Sequence, residues 1–168
     1  MSPPCLPPQS CAGIPVMKII ALALALAFFA PAARAEPAPF GERVAAAAVG
    51  QTERPGAYDP SYVRIDYPMG DVPADRGVCS DVIIRALRAV GVDPQERVHE
   101  DMKANFAAYP KRWGLKRPDP NIDHRRVPNL QTYLKRKGFS LPVTQKAEDY
   151  QPGDLVTCTV PPNLPHIM

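Results

Sequence analysis

Arg76-Gly77-Val78-Cys79-Ser80-Asp81-Val82-Ile83-Ile84-Arg85-Ala86-Leu87-Arg88-Ala89-Val90-Gly91 is the stretch on which the reading of the chain turns. From Ser80 to Val90 the apolar residues Val82, Ile83, Ala86, Leu87 and Val90 recur at the spacing of a helix with one buried stripe. Gly91 closes it, as glycine does after the last helical turn. Cys79 therefore stands at the mouth of a helix. The thiolate is the reactive form of cysteine, and a helix N-terminus favours negative charge. The unbonded amides there can also hold the oxyanion of a tetrahedral intermediate. This is where a nucleophilic cysteine belongs, and it requires a base, usually histidine.

Working outward, the pattern predicts a mixed α+β chain. Upstream, Phe40 to Arg54 reads as a helix, and the alternation Tyr62-Val63-Arg64-Ile65-Asp66-Tyr67 reads as a short strand. Downstream, Asp93-Pro94-Gln95-Glu96 is a helix start, with Asp93 as cap and Pro94 at the first position, and the helical stretch runs to about Tyr109. Lys111 to Arg126 is a polar loop, and Val127 to Lys137 is a helix closed by Gly138. The turn Tyr150 to Asp154 feeds a strand over Leu155–Val160. A second strand starting near His166 pairs with it and presents the imidazole.

The first 35 residues read as targeting sequence. Lys18, the apolar run from Ile19 to Ala30 and the small-x-small Ala33-Arg34-Ala35 compose a secretory leader, with Met17 as the true start and Glu36 as the new N-terminus. The apolar run falls short of the roughly 20 residues a bilayer span needs, so no stable membrane span is expected after cleavage. Residues 36–168 form one domain, expected to be periplasmic or secreted. Lys18 and Arg34 lie in the leader, so 18 of the 20 Lys and Arg remain against 17 acidic residues. That near-balance argues against nucleic acid as a partner. Of the four cysteines, Cys5 and Cys11 precede Met17, leaving Cys79 and Cys158.

Several motifs together carry a family resemblance. Tyr67, Gly70, Gly77, Cys79-Ser80, Pro152-Gly153-Asp154-Leu155-Val156 and His166 follow the order of the NlpC/P60-type branch of papain-like peptidases. The stretches Gly70–Asp81 (GDVPADRGVCSD), Trp113–Leu130 (WGLKRPDPNIDHRRVPNL) and Leu164-Pro165-His166 resemble the bacterial domain-of-unknown-function family 1287, from Tyr58 to the end. The resemblance implies a papain-like α+β fold, with a short helical layer packed on a small antiparallel sheet. It implies Cys79 as nucleophile, His166 as base, and amide bonds of peptidoglycan or another envelope polymer as substrate. The amides of Cys79 and Ser80 would hold the oxyanion, Tyr67 would shape that hole, and no cofactor or metal is implied. Family members continue past the histidine to a polar group that orients it. Here only Ile167 and Met168 follow, so the C-terminal strands read as cut short, and a non-catalytic binding protein on the same scaffold is the competing expectation.

Other residues have plainer readings. Cys158 falls on the apolar Val156-Cys158-Val160 face of its strand, which predicts a core cysteine; a Cys79–Cys158 disulfide is the competing arrangement. His124 either lines the cleft or is a loop histidine hydrogen-bonded to Asp123 or the backbone. His99-Glu100-Asp101 are consecutive on a helix, point in different directions and make no metal site. The basic pairs Lys111-Arg112, Lys116-Arg117, Arg125-Arg126 and the run Lys135-Arg136-Lys137 either face an anionic polymer or form a solvated face. Trp113 and Tyr109 either line a groove or belong to the core.

Overall fold

A computed structural model describes residues 36–54 and 56–168. The leader, with its Met17 start, Cys5 and Cys11, lies outside the described residues. These residues form a mixed α+β unit of four α-helices and two small two-stranded sheets, in the order α1 (Phe40–Val49), β1 (Ala57–Tyr58), β2 (Arg76–Gly77), α2 (Cys79–Ala89), α3 (Pro94–Asn105), α4 (Val127–Arg136), β3 (Thr157–Val160) and β4 (Leu164–Ile167). β1 and β2 pair in parallel, while β3 and β4 form an antiparallel hairpin.

α2 begins where the backbone of Val78 is extended and the Asp81 carboxylate accepts the Val78 N–H at 2.6 Å. A carboxylate in the first turn satisfies an otherwise unpaired donor and complements the helix dipole. α3 begins as its sequence predicts. The Asp93 side chain accepts the Gln95 N–H, and Pro94 occupies the first turn, where its missing N–H costs nothing. Arg88, in the last turn of α2, donates to Asp93 at 2.9 Å and so joins the end of one helix to the cap of the next.

The core lies between α2, α3 and α4, and β4 closes it. Ile83, Val98, Met102, Tyr109, Val127, Leu130 and Ile167 form one buried cluster, with Cys79, Leu87 and Leu155 packed on its margin. α1 packs on α2 from outside the cluster and is tied to it by a hydrogen bond from Gln51 to the Val82 carbonyl at 2.9 Å. The start of α1 also meets the Pro152-Gly153 turn. A Cβ on Gly41 would stand 2.3 Å from the Pro152 oxygen, and Gly153 turns there at φ +92°. Both positions need glycine, one for close approach and the other for its backbone angle.

Four expectations are corrected. Tyr62–Tyr67 is not a strand: its backbone is held by side chains, with the Ile65 N–H donating to Asn121 and the Ser61 carbonyl accepting from Arg125. The first helix ends at Val49 and not at Arg54. The buried face of α2 includes Ser80, Asp81, Ile83, Ile84 and Ala86, whereas Val82 is 40% exposed. The stripe is displaced because two polar residues at the helix start take buried partners. Cys158 is exposed, and Val156 and Val160 beside it are exposed as well, because the core-facing residue of the hairpin is Ile167, which pairs with Thr157.

Arg125 donates through Nε and Nη2 to the two oxygens of Asp81 at 2.8 and 2.9 Å, and the side chains are only 4% and 2% exposed. Removing one member leaves the other charged and buried. We expect Arg125→Met to lower unfolding free energy by about 3–5 kcal/mol in urea titrations, and the double variant Asp81→Leu/Arg125→Met to recover part of that loss. A double variant no better than the single one would show that the backbone contacts of Arg125, and not the charge, carry the effect.

Candidate active site at the start of helix α2

Cys79 is the first residue of α2, half-buried, with a free thiol. Among the described residues no hydrogen-bond acceptor takes the amide of Cys79 or Ser80, and the Asp81 amide turns back to the Val78 carbonyl at 2.9 Å. Two adjacent N–H groups are thus available beside the sulfur, the arrangement an oxyanion needs. The Ser80 hydroxyl does not contribute to it. Ser80 is fully buried, and its Oγ donates to the Arg125 carbonyl at 2.6 Å. With the Asp81–Arg125 pair, this fixes the first turn of α2 against the 3-10 turn Asp123–Arg125.

β4 packs against both α2 and α4. Its Ile167 is buried in the cluster on which Cys79 rests, so the strand that carries His166 lies against the helix that carries Cys79. Successive strand residues face opposite ways. His166 therefore shares its face with its partner Cys158 and not with Ile167; it is partly exposed and makes no side-chain hydrogen bond among the described residues. Cys79 and Cys158 are both free, and no disulfide joins them.

Tyr67 is placed by α3. Its hydroxyl donates to Glu100 at 2.8 Å, and its ring meets the edge of His99 with 5.0 Å between centroids. Burial, followed by that carboxylate, pushes the phenol up to about 12. Its proton is thus committed to Glu100. His99 and Glu100 both meet Tyr67, the second also pairing with Lys103, whereas Asp101 turns to Tyr109, Arg136 and Lys137. Tyr109 is a core residue, whereas Trp113 is half-exposed with the Arg126 guanidinium 4.1 Å from its ring centre.

His124 departs from both expectations. It is buried at 2% exposure within the 3-10 turn, which packs on α2, α3 and α4, and its Nδ1 has no hydrogen-bond partner. Burial pushes the imidazole down to about 4; the nearby Arg88 guanidinium adds to this, and the carboxylates of Asp81 and Asp93 oppose it. The histidine is neutral and interior, neither tied to Asp123 nor open to solvent. Arg125 holds the start of α2, Gln95 holds the coil of Asp66, Gly70 and Pro120, and sequence reasoning missed both. Arg125 reads as one half of a surface basic pair because its partner lies 44 residues upstream. Gln95 reads as part of a helix start, yet it is fully buried, donates to the carbonyls of Asp66 and Pro120, and accepts from Gly70.

A family model described as "Domain of unknown function (DUF1287)" matches residues 45–168. "Uncharacterized protein YijF" of Escherichia coli (strain K12) is 58% identical over 110 residues, which is 66% of this chain and 54% of the relative. The chain thus spans about half the length of the curated relative it matches. No solved structure matches it.

The state of His124 sets an acid limit on the fold. Its folded-state value of about 4 lies below the ordinary 6.5 of an exposed histidine. Between those two pH values the unfolded chain takes up a proton that the folded chain refuses. This contribution to stability is complete above pH 6.5 and is lost as pH falls toward 4, on the order of 3 kcal/mol in all. Urea unfolding at pH 7.5 and 4.5 should show the loss, and His124→Gln, which cannot charge, should reduce it relative to the parent. An unchanged pH dependence in that variant would assign the acid sensitivity to other groups.

Proposed function

The chain belongs to the family described as a domain of unknown function, DUF1287, and on that footing we propose that it is an exported envelope hydrolase of the cysteine amidase or peptidase type. In this reading the scaffold is papain-like, of the NlpC/P60 kind, and the substrate is an amide bond of peptidoglycan or a related envelope polymer. The observation that carries it is Cys79 as first residue of a helix whose N-terminal amides are unoccupied and whose first turn is held by buried partners. The packing of the His166 strand on that helix supports the choice of base, and the secretory pattern of residues 1–35 supports the location.

The chemistry follows from these groups. The Cys79 thiolate attacks the amide carbonyl carbon, and the resulting oxyanion lies against the amides of Cys79 and Ser80. As the carbon–nitrogen bond breaks, the imidazolium of His166 gives its proton to the departing amine, leaving a thioester. His166, neutral again, takes a proton from water, whose oxygen attacks the thioester and releases the acid and the thiolate. One observation favours a second reading, a binding protein that keeps the scaffold without turnover: the His166 imidazole has no described partner to orient it, and a catalytic base is ordinarily held by a third group.

The two cysteines provide an internal comparison. Cys158 is the more exposed, so access alone predicts that it alkylates first. If Cys79 is the nucleophile, brief iodoacetamide treatment at pH 6 followed by peptide mapping should modify it about tenfold faster than Cys158. Hydrolysis of purified muropeptides should then be abolished by Cys79→Ala. Fast modification without hydrolysis would select the binding protein, and faster modification of Cys158 would remove Cys79 as a nucleophile.

A further inference from the structure

A concavity of the described residues lies apart from Cys79. A groove of about 960 Å³ runs between the extended segment Tyr62–Ile65 and the loop Gly114–Asn121. From its lining we infer that it is a binding site for acidic peptides, whose carboxylates are taken by Arg64, Lys116 and Arg117 and whose aliphatic parts lie on Ile65 and Leu115. The inference goes beyond the hydrolase reading, because binding here does not require Cys79 to be a nucleophile.

Three observations carry it. The first is that the groove is built. Its two walls are joined by hydrogen bonds from the Ile65 N–H to Asn121 at 3.0 Å, from the Asn121 amide to the Tyr62 hydroxyl at 3.0 Å, and from that hydroxyl to Asp119 at 3.1 Å. Pro118 and Pro120, with their fixed φ, stiffen the loop between them. A pre-formed site loses less ordering entropy when a ligand enters.

The second is charge. Arg64, Lys116 and Arg117 are exposed on this one concavity and form no ion pair among the described residues. By contrast Arg85, Arg88, Arg125, Arg126 and Arg136 are each neutralised by a carboxylate. The one acid in the lining, Asp119, already accepts from the Asn121 N–H, the Asn121 amide and the Tyr62 hydroxyl, so its oxygens are spoken for within the fold. Three cations around a concave surface raise the local concentration of anions, and two guanidinium groups suit the planar fork of a carboxylate.

The third is the mixed character of the walls. Ile65, Leu115 and the two prolines lie between the cations. A phosphate polymer would leave that apolar surface unused, whereas a peptide with acidic and aliphatic side chains covers it. The segment that forms one wall is itself held from outside the groove, since Arg125 donates to the carbonyl of Ser61, next to Tyr62.

The test is fluorescence anisotropy with the full chain carrying Cys79→Ala, which prevents turnover and separates binding from catalysis. The probe is a dye-labelled five-residue peptide of two leucines and three glutamates. Saturable binding is expected. It should weaken about tenfold or more in Arg64→Gln/Lys116→Gln/Arg117→Gln, a loss of about 1.4 kcal/mol per tenfold, and should vanish when the three glutamates are replaced by glutamine. The control triple Arg54→Gln/Lys135→Gln/Lys146→Gln removes the same charge from exposed positions outside the groove and should bind like the parent. Circular dichroism confirms folding of each variant, and the single reversal Arg117→Glu provides a milder substitution with the same expected direction. Equal weakening by both triples, absence of saturation, or binding of the glutamine peptide would overturn the inference. Tighter binding of inorganic polyphosphate than of the acidic peptide would overturn its commitment to a peptide.

Discussion

The buried pair between Asp81 and Arg125 is the interaction on which the rest of the structure depends. Asp81 does two things at once: it accepts the Val78 N–H that opens α2, and it neutralises Arg125. Arg125 in turn reaches the carbonyls of Ser61 and Asp59, and its own carbonyl accepts the Ser80 hydroxyl. One guanidinium thereby joins the start of α2, the Asp123–Arg125 turn and the extended segment that precedes Tyr62. Desolvating two charges offsets much of their attraction, so the pair contributes less to net stability than its geometry suggests. What it specifies is position, since only one register of these three segments leaves both charges matched.

The same device recurs where strands would be expected. The fold contains few β-ladder hydrogen bonds, and its long coil segments still have backbone groups to satisfy. Buried side chains supply the partners. Gln95 serves Asp66, Gly70 and Pro120, Asp93 serves Met69 and the cap of α3, and Asn121 serves Ile65. Polar side chains hold irregular backbone with the geometric precision of a sheet, provided each is fully bonded. His99, His124 and Asn129 are the exceptions among the described residues. Each keeps one buried polar atom without a partner; His99 belongs to α3, His124 to the Asp123–Arg125 turn and Asn129 to α4.

This framework gives the candidate nucleophile its setting. Cys79 sits at the end of a helix that cannot easily shift, because Ser80 and Asp81 are anchored on one side and Ile83 is locked in the core on the other. The β3–β4 hairpin is joined to that core chiefly through Ile167 and through a hydrogen bond from Gln131 to Thr157, so the base candidate rides on a more lightly held element than the nucleophile does. The basic groove is braced through Asn121 and shares the segment that Arg125 restrains.

Local chemistry in the sequence determined the helices and their starts. Asp93-Pro94, Gly91 and Gly138 act on their immediate neighbours, so α2, α4 and the start of α3 were legible to within a residue or two, as were the cysteine at the head of α2 and the hairpin that carries His166, whereas α3 ends at Asn105 and not near Tyr109. The outer pairing of Cys158 with His166 was not legible. Alternation says that a strand has two faces, but which one meets the core depended on Ile167 finding the cluster between α2 and α4. Nor could the sequence separate Tyr62–Tyr67 from a strand, because its alternating pattern says nothing of whether a neighbouring strand or a set of distant side chains will take its backbone hydrogen bonds. Arg125, His124 and Gln95 carry the signature of surface polar residues. Only the tertiary structure buries them, because burial of a polar group is decided by partners tens of residues away and not by the residues beside it.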